Sequence, residues 1–77
     1  MVEKLQIKAV YNDFVSSIDL TKEQKQILDM LIKKEKILKI SMELGMSQRN
    51  VGYEIRKLKN LYNDYVFLQT WKTMLLL

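Results

Sequence analysis

The chain predicts a small all-α domain of four to five helices, and three observations carry that expectation. Apolar residues recur at three- and four-residue steps along most of its length, the period of a helix face. No proline and only two glycines occur among 77 residues, which suits helices joined by short connections. The composition is 48% hydrophobic with no cysteine, so packing rather than disulfides must hold a chain near the lower size limit for independent folding. A single domain spanning 1–77 follows.

The first helical pattern covers about residues 2–17, where Ile7, Val10, Tyr11, Phe14, Val15 and Ile18 form one apolar face. Ser16, Ser17 and Asp19 interrupt it. Thr21 with Gln24 three residues on has the form of a capping box and opens the second helix. Its inner face is Ile27, Leu28, Leu31 and Ile32, and Lys22, Lys25, Asp29 and Lys33 are expected to face water. The polar run at 33–36 reads as a tight connection to a short helix at 37–44.

A sharp corner then follows at Leu44-Gly45-Met46. Gly45 stands where the short helix must stop with a left-handed residue, which glycine tolerates cheaply. Ser47 offers a side-chain oxygen to the free N–H groups that begin the next helix. Ile40, Leu44, Met46, Val51 and Ile55 fall at spacings that bring the two helices face to face, with the small Ser41 where they cross closely. Residues 37–60 therefore predict a central helix-turn-helix, a motif that places its second helix in the DNA major groove.

That second helix is expected to run from Ser47 to about residue 62. Gly52 within it costs about 1 kcal/mol relative to alanine; it is either tolerated or lets the backbone approach another surface closely. Asn60, Asn63 and Asp64 form a soft spot, where the chain either turns into a final helix at about 61–77 or continues. Beyond it the apolar residues spread around the whole helix, which demands cover on more than one side. Leu58, Leu61, Tyr65, Leu68 and Leu75 fit a dimer seam broken by Lys72, although the seam could instead pack on the chain's own first helix. Tyr62, Val66, Phe67, Trp71 and Met74 lie on other faces, and this second group favours a homodimer, with Trp71 counted among its contacts. A two-fold pair would read two half-sites about one helical turn apart.

Charge is concentrated where the motif would need it. Within 47–60, Arg49, Arg56, Lys57 and Lys59 stand against Glu54 alone, contributing +3 of the net +4. The outward positions of that helix are Gln48, Arg49, Gly52, Tyr53 and Arg56. Gln48 suits an adenine edge and Arg49 a guanine edge. Asn50 suits a base or a phosphate, Tyr53 a thymine methyl or a phosphate, and Arg56, Lys57 and Lys59 the backbone. Ser47 completes this candidate DNA-binding set at the start of the helix. Met30, Met42 and Met46 read as core filler, and Tyr62, Tyr65 and Trp71, a stripe at helical spacing with only Lys72 beside it, read as packing residues rather than a stack for nucleic-acid bases.

Other function classes find little support. Without histidine or cysteine the usual zinc ligands are absent, and no acid, base or nucleophile sits in a catalytic spacing, so neither an enzyme nor a metal or cofactor is expected. No basic n-region precedes an apolar run at the N-terminus, so no secretory signal is expected, and Gln69, Thr70, Lys72 and Thr73 break the longest apolar tract, so no spanning segment is expected. A cytoplasmic chain is expected.

Residues 20–55 resemble the LuxR-type DNA-binding output domain without a gap, and are similar to the promoter-reading C-terminal helix-turn-helix of sigma factors. The matching features are Leu20-Thr21, Ile27-Leu28, Leu31-Ile32, Ile40-Ser41, Glu43-Leu44, Met46-Ser47, Val51 and Ile55. These families usually carry alanine where Ser41 stands, and polar or basic residues where Gly52 and Tyr53 stand, so base preference does not carry over. The resemblance implies a four-helix domain whose second motif helix reads DNA. The chain departs from the family in lacking the receiver or ligand domain that usually precedes a LuxR-type output, and a module of this size looks more like a small regulator from a phage, mobile element or bacterium. The expected function is sequence-specific double-stranded DNA binding in transcription regulation. The alternative is a protein-interaction module on the same scaffold, such as a sigma-like factor touching RNA polymerase.

Overall fold

A computed structural model describes residues 1–76 and is all-helical, with no strand among them. Five helices follow in order: α1 Val2–Leu5, α2 Lys8–Ser17, α3 Lys22–Ile32, α4 Ile37–Leu44 and α5 Gln48–Leu76. The long α5 packs against α2, α3 and α4, while α1 closes one end against α2 and α3. Their shared core is Leu5, Phe14, Ile27, Leu28, Ile40, Val51, Leu58, Tyr62 and Tyr65. Phe14 meets both tyrosine rings edge-on, at centroid distances of 5.6 and 5.3 Å.

The predicted first helix is two helices. Leu5 and Phe14 lie about half a turn apart in phase on a straight helix, yet both are fully buried. The chain reconciles them by breaking at Gln6-Ile7, where Ile7 turns extended before α2 begins. Ile7 is left exposed, contrary to its predicted place on the inner face.

The capping box at Thr21 forms in both directions: the Gln24 N–H donates to Thr21 Oγ1 and the Thr21 N–H to Gln24 Oε1, each at 3.1 Å. Asp29, expected to face water, instead accepts a hydrogen bond from the Tyr11 hydroxyl and is half-buried. The connection after α3 closes through Lys34, which holds a left-handed φ of 63°. The Lys34 and Glu35 N–H groups bond back to the Leu31 and Met30 carbonyls at 2.9 and 3.0 Å. Nothing in the sequence marked Lys34 for this conformation, since lysine rarely adopts it.

The corner between α4 and α5 has the predicted chemistry. Gly45 is left-handed, at φ 65° and ψ 31°. The Met46 N–H reaches back to the Ser41 carbonyl at 3.0 Å. Ser47 Oγ accepts from the Asn50 N–H at 3.1 Å, capping α5. Ser41 is buried and donates to the Leu38 carbonyl, so its hydroxyl is satisfied where α4 meets α5.

The soft spot at 60–64 does not break the chain. Leu58, Leu61, Tyr62 and Tyr65 continue one inward face across it, while Asn60, Asn63 and Asp64 point to solvent. Packing of that face outweighs the few tenths of a kcal/mol each polar residue costs in helix propensity. A separate helix at 61–77 is therefore replaced by the continuation of α5. No helix among the described residues is long and apolar enough to cross a membrane.

Candidate nucleic-acid interface

Two faces of α5 have opposite fates. Val51 and Leu58 are fully buried and Ile55 packs beside them, which fixes the rotation of the helix on the body. The reverse face is therefore turned outward, and Ser47, Gln48, Arg49, Asn50, Tyr53, Arg56, Lys57 and Lys59 are all exposed. All eight predicted contact residues thus lie on the open part of one rigid element. Arg49, Tyr53, Arg56 and Lys57 share a single stripe at helical spacing, and Lys59 flanks it.

The stripe is not flat. Arg49, Asn50, Tyr53 and Arg56 wall an open groove of about 690 Å³ whose floor includes Gly52. A Cβ built on Gly52 would meet nothing within 4 Å. The protein's own packing makes no demand for glycine there, and the bare backbone lies open to an incoming surface.

Electrostatics favour an anionic occupant. Among the described residues the only ion pairs are Lys39–Glu35 at 3.1 Å and Lys57–Glu54 at 3.5 Å. Arg49, Arg56 and Lys59 thus have no carboxylate partner there. Lys57 is more constrained, with its ammonium also 4.7 Å from the centre of the Tyr53 ring. The N–H groups that begin α5 add the positive end of the helix dipole, although Ser47 already satisfies that of Asn50.

No family model, curated protein or solved structure gives a significant match to the chain.

The proposed dimer seam divides. Leu58 and Tyr65 belong to the chain's own core, and Leu61 packs against it. These three face inward because the path of α5 over α2 carries them there. Tyr65 donates its hydroxyl to the Asp13 carboxylate, and this bond, with burial, pushes its pKa up to about 12. Tyr11 is likewise raised to about 12, first by burial and then by Asp29. Leu68, Trp71 and Leu75 remain exposed, joined by Phe67 and Met74. Trp71, expected to pack, is 52% exposed, whereas Tyr62 and Tyr65 are buried as expected.

Met30 and Met46 pack against the core, but Met42 is 74% exposed beside Leu38 on the outer side of α4. The sequence did not separate it from the other two because α4 is only two turns long. One apolar residue per turn on its outer side leaves the inward pattern intact.

Proposed function

We propose that this chain is a sequence-specific double-stranded DNA-binding regulator of transcription, with residues 47–60 of α5 as the recognition segment in the major groove. The observation that carries the reading is the cationic face of that segment, on which Arg49, Arg56 and Lys59 have no carboxylate partner among the described residues, with Gly52 bare at its centre. The left-handed Gly45 and the Ser47 cap hold α4 and α5 as a helix-turn-helix would require. The resemblance of residues 20–55 to LuxR-type and sigma-factor domains adds to this.

Each side chain has a role in the proposal. Arg49 reads a guanine edge and Gln48 an adenine edge, while Asn50 and Tyr53 contact bases or phosphates. Arg56 and Lys59 hold the phosphate backbone, and Lys57 joins them on leaving Glu54. Gly52 lets the helix axis come close enough for these short reaches.

Binding to a random-sequence duplex pool, measured at two salt concentrations, tests the reading. Three neutralised phosphates would give a slope of log K against log salt of about −2.7. Arg49→Ala should relax base preference and weaken the preferred sequence by about 1–3 kcal/mol. Lys59→Ala should weaken all sequences alike and flatten the slope by about 1. Binding unchanged in both variants would refute the assignment. A second reading, a protein-interaction module of sigma-like kind, is favoured by one observation: the exposed apolar outer half of α5.

A further inference from the structure

The outer face of α5 changes character along its length without changing direction. Phe67, Leu68, Trp71, Met74 and Leu75 fall within an arc of about 120° at 3.6 residues per turn. Gln69, Thr70, Lys72 and Thr73 occupy the rest of that stretch, so it is amphipathic and not apolar all round. Five whole turns of helix take 18 residues. Counting back by that interval, Phe67 falls over Arg49, Leu68 over Asn50, Trp71 over Tyr53, Met74 over Arg56 and Leu75 over Lys57. The apolar stripe is the continuation of the basic stripe, about 27 Å further along one straight element. Asn60, Asn63 and Asp64 form the polar boundary between them.

We infer that two copies of the chain pair through this apolar stripe, side by side and in parallel, so that their basic halves form a fork around one duplex. A second copy is the occupant the stripe fits. Its five residues present on the order of 600–700 Å² of surface, given about 150–250 Å² for each large aromatic side chain. That approaches the roughly 800 Å² per partner of a standard stable interface. The stripe itself carries no charge, with Lys72 at its edge, so two identical stripes meet without repulsion. Leu58, Leu61 and Tyr65, bound to their own core, take no part.

Orientation follows from the shared face, and this step rests on the DNA-binding reading. In an antiparallel pair the two basic faces would point in opposite directions, and no single straight duplex could meet both. A parallel pair aims them at each other, and its two axes, about 8–10 Å apart at the stripe, diverge beyond Asn60 to admit a duplex between. Opposite sides of a duplex present major grooves half a turn apart, so the two half-sites would be centred about five base pairs apart. This replaces the full-turn spacing expected of a conventional two-fold pair.

Arg49, Arg56 and Lys57 of one copy then face the same residues of the other across the fork. Their repulsion weakens pairing in the absence of nucleic acid, and either salt or a polyanion in the fork relieves it. Self-association should therefore strengthen with salt while duplex binding weakens.

Sedimentation equilibrium of the full chain, at about 0.05 and 0.5 M NaCl, tests the pairing without DNA. The parent should associate more tightly at high salt. Trp71→Glu and Phe67→Glu should each weaken association at least tenfold, with melting unchanged at concentrations dilute enough for the parent to be monomeric, since neither side chain packs on the core. The chain has no cysteine, so Met74→Cys introduces a lone thiol. In a parallel pair this thiol meets its twin within disulfide reach and gives a covalent dimer on mild oxidation. In an antiparallel pair centred on Trp71 it faces Leu68 and gives none.

Association unchanged by both glutamates, association weakened by salt, or no covalent dimer from the Met74→Cys variant would each overturn the parallel fork. Mixing with a random-sequence duplex pool separates the two proposals. A chain that pairs through the stripe and ignores duplex at every salt concentration refutes the DNA reading and the fork built on it, but leaves the pairing. A chain that binds duplex one-to-one as a monomer refutes the pairing and leaves the DNA reading.

Discussion

The two glycines of this chain should respond with opposite signs to the same substitution. Gly45 holds φ 65°, and a Cβ there would meet nothing within 4 Å. Alanine at 45 therefore clashes with nothing, and its cost is that of the left-handed backbone, roughly 1–2 kcal/mol. The stiffer unfolded chain returns about 0.4–1 kcal/mol of this. The net loss is about 1 kcal/mol. Gly52 sits in ordinary helix and is equally unobstructed, so alanine there gains about 0.8–1.0 kcal/mol of helix propensity. In a domain of this size 1 kcal/mol shifts the melting temperature by roughly 4–8 °C. Thermal unfolding followed by far-ultraviolet circular dichroism should thus place the two variants about 8–16 °C apart, with the parent between them. Gly45→Val, β-branched, should fall further than Gly45→Ala. A Gly45→Ala protein melting at or above the parent would refute the left-handed corner. Gly52→Ala melting below the parent would mean that the chain itself needs the bare backbone there. The proposed function adds a dissociation: Gly52→Ala should be more stable and yet bind duplex more weakly, because the added methyl holds the helix off the groove floor.

Other perturbations have equally definite signs. Tyr65→Phe should cost about 1 kcal/mol at neutral pH by taking the phenol donor from Asp13, which keeps only the longer contact from the Gln69 amide at 3.4 Å, a loss readable in urea unfolding. The raised pKa of Tyr65 favours the neutral phenol in the folded state, so its stabilisation is complete below the unfolded value near 10 and is lost as pH rises towards about 12. Tyr11 acts in the same direction and window, so Tyr65→Phe should make stability fall less steeply between pH 10 and 12, and an unchanged profile would refute the Asp13 contact. Lys34→Gly should stabilise by about 0.5–1 kcal/mol through relief of its left-handed backbone, less the glycine entropy. Ser47→Ala should cost about 1 kcal/mol as the α5 cap is lost, with full helicity kept at low temperature.

How far the sequence could be read depended on whether local chemistry or packing decided each feature. Thr21-Gln24, Gly45 and Ser47 were legible because capping is a contract between residues at most five apart. The break at Gln6-Ile7 was not, since it exists to aim Leu5 and Phe14 at the same core from a segment that could hold only one of them in phase. Asn60, Asn63 and Asp64 suggested an end to the helix, but Tyr62 and Tyr65 are held on Phe14, far away in sequence, and carry α5 past them. The outward set on 47–60 was readable once Val51 was recognised as inward. The true extent of the apolar stripe was not, because Leu58 and Tyr65 obey the same three- and four-residue spacing whether they face their own core or another chain.

The basic face rides on the helix that also supplies Val51, Leu58, Tyr62 and Tyr65 to the core. Under the proposed function recognition and folding would share one element, with the backbone of the contact surface already ordered before any encounter. Binding need not freeze a loop there, so little main-chain entropy opposes it. Affinity differences among variants of Gln48, Arg49 and Asn50 should accordingly report side-chain contacts almost directly. The same sharing ties the order of this surface to that of the core: Val51 and Leu58 hold it in place while they stay packed. Its availability would follow the folded fraction of the chain as a whole, and the residence of a bound copy would be set by its dissociation rate.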